Sequence, residues 1–402
     1  MGHDHEDMVP REAAVETVVE VRREQLDALP VETVDLGAVA GRTLAGDVTA
    51  PRDVPEHDHA TMDGYAFDAT DEYPLRVRSQ EVFPEIDPPS IDPGEAVPIA
   101  TGAPLPPEAN AVLKREEATV TDGELRGAEI APGTYRYEKA SNVEAGERLF
   151  DRDETLSPKD ALLLCDIGRE AVEVREQFSV GILATGTEIH EGRQRDLDSA
   201  MLAGLVRSWG HEATYEGTAP DNYDRVRDRI ADLAAAYDVL LTTGGTSVGH
   251  KDYVVRALRD LGKIRFHRVR VRPGKPIALA ELPDAIVFAV PGKPLGAHTV
   301  STLVAGPFFT GRTALPTVVT RMERDVELGP EGFEYAVPVT LADGTAMPLG
   351  HADSSLPVYD RQFDPSVLSS STKATRADGF VLTQSGLTAG ETVRVVPYSV
   401  VE

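Results

Sequence analysis

Between Lys263 and Lys275 the chain reads KIRFHRVRVRPGK, with six basic residues, one histidine and no acid. The stretch ends in RPGKP, Arg272 to Pro276, where a turn brings Arg272 and Lys275 together with backbone N–H groups nearby. Such a turn suits a small oxyanion. Ile264, Phe266, Val269 and Val271 also fit an ordinary strand with a wet basic face. The stretch alone does not choose between these readings.

Three glycine-bearing loops follow apolar runs. ATGTE, residues 184–188, follows FSVGIL; TTGGTSVGHKDY, residues 242–253, follows YDVLL; VPGKP, residues 290–294, follows DAIVFA. Gly186, Gly244 and Gly245 let backbone approach a ligand, and neighbouring N–H and hydroxyl groups hydrogen-bond phosphate or a heterocycle. Carboxylates accompany the loops: Glu188, Asp221 and Asp252. Beside a bound phosphate they would repel it unless a cation bridges them, and Mg²⁺ is the usual bridge. Asp221 and Asp252 each precede a helical pattern and have a helix cap as their competing duty. Glu188 has no such local duty.

The elements that must position these groups follow from the apolar spacing. Arg11–Leu26 has helical periodicity, and a short helix is expected over Ser157–Gly168. Residues 48–138 are rich in proline, glycine and short β-type runs. From Phe178, buried-strand runs alternate with helices carrying Met201 to Trp209, Val226 to Tyr237, and Tyr253 to Leu261. That alternation predicts a doubly wound parallel sheet, an α/β arrangement whose ligands sit beyond the C-terminal strand ends, where all three loops fall. After Pro316 short strands and turns return.

Composition narrows the partners. The 402 residues carry 40 Lys+Arg against 67 Asp+Glu, a net charge of -27. That balance argues against nucleic acid. The acids are spread along the chain and lysine is scarce beside arginine, which reads as a surface adapted to high salt. No apolar run reaches membrane-spanning length, and the start MGHDHEDM lacks a signal-peptide pattern. Cys165 is the lone cysteine, which excludes an intrachain disulfide and fits a reducing cytoplasm.

Taken in order, Asp58 with MDGYA, TGAPLP, ATGTE, TGGTSVGHKDY, RPGKP and PGKP resemble the molybdopterin molybdenumtransferase family from about residue 10 onward. The resemblance implies a multidomain α/β chain in four parts. These are a helical and extended linker domain (8–48 and 142–177), an inserted β-rich domain (49–141), a molybdopterin-binding α/β domain (178–315) and a C-terminal β-barrel (316–402). It implies a homodimer that inserts molybdate into adenylated molybdopterin with Mg²⁺-dependent release of AMP. Contacts with the molybdopterin adenylyltransferase and with acceptor molybdoenzymes are implied too. By position Asp58, Thr101, Glu188, Asp221 and Asp252 match functional acidic or hydroxyl residues, with Asp221 and Asp252 on the metal. Ser247 matches a residue near the pterin–nucleotide. Arg272 and Lys275 match a basic pair near molybdate, with arginine where the family has lysine. Ser369 matches a serine of the last domain.

The chain also departs from the family pattern. The family's GxNIRxxGED-like segment reads GTYRYEKASNVEAG here, with Tyr137 and Asn142 at its arginine and aspartate positions. A family arginine is Gly332. PGNPVS reads PGKPLG, so Lys293 and Gly296 replace an amide and a hydroxyl. Three readings stay open: the insertion enzyme, with Lys293 taking over basicity; a non-catalytic or tungstate-using paralogue that binds or delivers the pterin–nucleotide; and a Mg²⁺-dependent nucleotide hydrolase.

Overall fold

The computed structural model describes residues 8–245 and 253–402. The chain forms two compact units. One comprises the chain through Glu32, then Ala40–Thr43 and Arg175–Glu402; the other comprises Thr33–Val39 and Leu44–Val174.

In the first unit a six-stranded sheet contains β1 (Ser179–Thr185), β2 (Glu212–Ala219), β3 (Val239–Thr243), β4 (Lys263–His267), β5 (Ala278–Glu281) and β6 (Ile286–Val290), in the order β2-β1-β3-β6-β5-β4. The strands β2, β1, β3 and β6 are parallel. Helices Ser199–Ser208 and Tyr223–Ala234 connect the first three of them. β1, β3 and β6 are buried almost throughout, which explains their unbroken apolar runs. Ala184 pairs with Thr243, and Thr243 with Val290. The register therefore brings ATGTE, TTGG and VPGKP out at one edge, as expected.

The expected parallel sheet does not extend to the far edge, which is antiparallel: β5 runs against β6 and β4 against β5. The β5–β6 link is a tight turn closed by Leu282 N–H to Ala285 O at 2.9 Å. A turn that short cannot carry the crossover a parallel neighbour needs.

The basic stretch is not one strand. β4 ends at His267, and Arg268 has φ 72°, a conformation uncommon outside glycine. Val271–Arg272 then leaves the α/β sheet and pairs in parallel with Glu334–Tyr335 of the C-terminal sheet. In that sheet Glu334–Ala342, Thr345–Pro348, Val318–Met322, Thr392–Pro397 and Gly379–Thr383 close into a five-stranded barrel, the last strand pairing back onto the first. The imperfect alternation of apolar residues is the sequence trace of this break. Arg265 is engaged by Glu20 and Glu281 and takes no part in the cavities described below.

Arg11–Ala28 is helical as expected and packs on the Ser301–Thr310 segment. Beneath it lies an aromatic cluster in which Trp209 stacks on Phe309 at 5.3 Å and Phe178 meets Phe308 at 5.0 Å. His211 is built into that cluster as a neutral ring. Its Nδ1 accepts from Phe178 N–H at 3.1 Å, and its Nε2 faces Phe309 O at 3.1 Å. Burial, reinforced by Arg22 and Arg42, lowers its pKa from 6.5 to about 4. The ring is neutral in both folded and unfolded states above pH 6.5. Below that the unfolded chain binds a proton that the folded chain refuses, so stability falls as pH drops from 6.5 towards 4. The loss attributable to His211 is roughly 3 kcal/mol. Denaturant unfolding of the wild type and His211→Gln in molar KCl at pH 7.5 and 5 checks this: the gap between the two proteins should narrow at the lower pH.

The second unit carries a six-stranded sheet of short strands in the order Ala111–Lys114, Gly64–Phe67, Glu95–Ile99, Leu75–Val77, Glu124–Arg126, Thr119–Thr121. Gly64 of MDGYA sits where a Cβ would lie 2.0 Å from Leu113 O, so strand packing itself requires that glycine. The short helix spans Asp160–Asp166, inside its expected range. Among the described residues no helix is long and apolar enough to cross a membrane.

Candidate functional site

The three loops meet at their glycines. Gly244 has φ +87°, and a Cβ there would lie 2.5 Å from Thr185 O. A Cβ on Gly292 would lie 3.1 Å from the Gly244 Cα. The chain thus approaches itself at the ligand edge more closely than any side chain allows.

Two cavities open on this junction. The first, about 650 Å³, is lined by Gly186, Glu188, Asp196, Asp198 and Asp221, among others. The second, about 460 Å³, is lined by Arg272, Gly274, Lys275, Pro276, Gly296 and Ser369, among others. Gly244, Gly245, Gly292 and Lys293 line both and form their common wall.

In the first cavity the helix-capping reading of Asp221 fails. Asn222 caps Tyr223–Ala234, accepting from Arg225 N–H at 3.1 Å. Asp221 instead ties down the ATGTE loop. Its Oδ2 accepts from Thr187 N–H at 3.3 Å, and Thr187 Oγ1 accepts from Asp221 N–H at 2.9 Å. Glu188 lies in the first turn of Thr187–His190, on the same cavity.

Asp198, which the sequence reading missed, lines this cavity too. It is 5% exposed, and Thr243 Oγ1 donates to its Oδ2 at 3.0 Å. Burial raises its pKa to about 6, with Asp196 adding to the rise and the Thr243 hydroxyl opposing it. At neutral pH it is still a carboxylate. A sequence signal existed: two acids two residues apart stand before a helix, which needs only one cap.

In the second cavity Arg272 sits over the Phe333 ring, its guanidinium carbon 4.2 Å from the ring centroid. A guanidinium is the more frequent cation on an aromatic face, which gives the lysine-to-arginine departure a physical basis. Phe333 follows Gly332, whose φ is +80°, so the segment lacking the family arginine supplies the platform instead. Gly274 has φ +108°, and a Cβ there would meet Val300 at 2.3 Å. Lys293 Nζ donates to Ser366 O at 3.0 Å. Ser369 is buried and accepts from Leu295 N–H at 3.0 Å through its carbonyl. Gly296 packs beside Gly274 and Ser369.

Asp58 and Thr101 belong to the other unit. Asp58 pairs with Arg136 at 2.9 Å and accepts from Lys139 N–H at 2.8 Å. Thr101 gives both its N–H and its hydroxyl to Asp63 at 2.7 Å, which pulls the Asp63 carboxyl below the usual range. Thr101 and Tyr137 line a cavity of about 530 Å³ within that unit, and Asn142 donates to Asp166 at 2.9 Å. Ser247 and Asp252 lie outside the described residues.

Residues 10–168 match the family model for the MoeA N-terminal region (domain I and II), and residues 181–310 match that for a probable molybdopterin binding domain. A molybdopterin biosynthesis protein of Methanocaldococcus jannaschii is 30% identical over 81% of this chain and 86% of its own length. The molybdopterin molybdenumtransferase of Synechococcus elongatus is 30% identical over 70% of this chain and 74% of its own. That of Haemophilus influenzae is 28% identical with the same coverages. Among solved structures, a molybdopterin biosynthesis MoeA protein from Pyrococcus horikosii superposes with a TM-score of 0.71. It is 28% identical, covering 97% of this chain and 99% of that one. With these likenesses spanning both units and the glycine-built edge, the chain belongs to the MoeA family of molybdenum cofactor biosynthesis proteins.

Proposed function

We propose that the chain is a molybdopterin molybdenumtransferase, taking adenylated molybdopterin at the first cavity and molybdate at the second. The pairing of a carboxylate-lined cavity with an Arg272/Lys275-lined one across a shared glycine wall carries this reading. Glycine N–H groups and Lys293 face the phosphates of the nucleotide. Arg272 and Lys275 face a tetrahedral dianion, which molybdate and tungstate both are.

Mg²⁺ suits the donors present. Among the described residues no three metal-ligating side chains cluster, but Mg²⁺ is commonly held by one or two carboxylates with phosphate oxygens completing its shell. Asp221 and Glu188 are hard oxygen donors on one cavity, and Asp252 joins them in this proposal. When bound, the ion neutralises charge on the phosphoanhydride. The chain's own part is to hold the anhydride on the glycine edge, keep the ATGTE loop in place through Asp221, and bring the dithiolene to the Arg272/Lys275 seat as AMP departs. A homodimer, a cytoplasmic location and a need for salt belong to the same proposal.

Turnover of adenylated molybdopterin with and without molybdate tests it. AMP release stimulated by molybdate is expected. Hydrolysis indifferent to molybdate would make the chain a nucleotide hydrolase, and binding without hydrolysis a carrier. Asp221→Asn keeps an oxygen for Thr187 N–H but removes charge. It should slow AMP release about ten- to a hundredfold and raise the Mg²⁺ requirement, with the melting temperature nearly unchanged. A variant with full turnover would remove Asp221 from the metal.

A further inference from the structure

The helix Ser199–Ser208 begins at an acid that does not cap it. Asp198 holds the capping position, but its own N–H and that of Ser199 both donate to Asp196 Oδ1 at 3.1 Å. The Asp198 side chain turns instead to the end of β3, where the Thr243 hydroxyl fixes its Oδ2. Among the described residues its buried Oδ1 has no hydrogen-bond partner. Buried polar atoms are nearly always satisfied, and one that is not calls for an explanation. Here the residue lines the first cavity, so a bound molecule can supply the missing donor.

The ligand group must donate. Phosphate and molybdate oxygens are acceptors and would be repelled by a carboxylate, and they have Lys293, Arg272 and Lys275 elsewhere on the wall. The pterin ring is different. Its 2-amino-4-oxopyrimidine edge carries N3–H and an NH₂ group side by side, the same forked pair with which a guanidinium meets a carboxylate. Residue 198 also falls inside the match to the molybdopterin binding domain.

We propose that Asp198, held by Thr243, binds the N3–H and 2-amino edge of the pterin and so decides which heterocycle the first cavity accepts. The assignment rests on the transferase reading and deepens it. The ribose diol and the adenine amino group of the nucleotide also donate, and the test separates them from the pterin edge.

The whole chain in molar KCl is titrated calorimetrically with 6-phosphomethylpterin, with the matching 2,4-dioxopteridine, which has an oxygen in place of the amino group, and with AMP. The wild type should bind the pterin about tenfold or more tighter than the dioxo ring. Asp198→Asn presents a carbonyl beside an NH₂ group, which complements N3–H beside a 2-oxo group. It should therefore reverse the preference while leaving AMP affinity unchanged, an outcome that a merely structural role would not give. Thr243→Val, which frees the carboxylate without removing it, should weaken the pterin selectively and to a smaller extent. Loss of AMP binding in Asp198→Asn would assign the residue to the nucleotide and overturn the proposal, as would equal weakening of both pteridines or an unchanged preference. If the wild type binds AMP and molybdate but neither pteridine, the transferase reading falls with it. If the wild type prefers pterin and Asp198→Asn still does, only the Asp198 assignment falls.

Discussion

Gly244→Ala is expected to reduce turnover of adenylated molybdopterin by at least about a hundredfold while the chain remains folded. Gly244 takes φ +87°, where an alanine costs about 1–2 kcal/mol. The larger effect is steric. The new methyl would lie 2.5 Å from Thr185 O and 3.0 Å from Thr185 Oγ1, so either ATGTE or TTGG must move. Moving TTGG also displaces VPGKP, because Gly292 packs on Gly244. One methyl group thus shifts the wall that both cavities share, and misplacement of about 1 Å costs on the order of a hundredfold in rate. Pterin–nucleotide binding and the molybdate response should fail together, with a fall in melting temperature of only a few degrees. Gly204→Ala serves as the control. It lies exposed within Ser199–Ser208, and a Cβ there meets nothing within 4 Å. Replacing a helical glycine of this kind should stabilise the chain by about 0.5–1 kcal/mol and leave turnover untouched. A Gly244→Ala enzyme with near-normal rates would show that the glycine edge is not where substrate sits.

What the sequence showed of the site follows from where its parts lie along the chain. ATGTE, TTGG and VPGKP each follow a buried parallel strand. Such strands read as continuous apolar runs, so the edge on which their loops gather is legible without coordinates. Lys275 and Arg272 were legible as a pair because one short turn contains both. The break in the basic stretch was not. Val271 and Arg272 find their partners at Glu334 and Tyr335, more than sixty residues away, and no local pattern announces such pairing. The role of Asp221 was ambiguous for a related reason. A cap and a loop tether use the same residue type in the same place, and only the Asn222 hydrogen bond separates them. Asp198 was missed because an acid before a helix already has an adequate explanation. The fold removes that explanation by giving the cap to Asp196. The departures at Gly332 and Gly296 looked like losses in the sequence. In the fold one adjoins the ring on which Arg272 lies, and the other packs beside the RPGKP turn.

Lys275→Ala and Lys293→Ala are expected to fail differently, because the two lysines stand on different parts of the wall. Lys275 lines only the second cavity, whereas Lys293 lines both. If the second cavity seats the oxyanion, Lys275→Ala should raise the molybdate concentration for half-maximal activity by about ten- to a hundredfold. That is the range of one charge-assisted contact to a dianion, about 1.5–3 kcal/mol. Affinity for adenylated molybdopterin should barely change, since in the proposed arrangement glycine N–H groups and the first cavity hold that ligand. Lys293 Nζ donates to Ser366 O and is anchored between the cavities. Lys293→Ala should therefore weaken the molybdate response and nucleotide binding together, each by a smaller factor. Equilibrium binding of adenylated molybdopterin, measured beside a molybdate titration of turnover, separates the two patterns. If only Lys293→Ala shifts the molybdate response, the lysine in PGKP has become the oxyanion ligand and Arg272 and Lys275 are not its seat. If both variants lose pterin–nucleotide binding in parallel and neither alters the molybdate response, the basic turn serves phosphate. Arg272 is then the cation left on the wall of the second cavity, among the described residues, to seat the oxyanion.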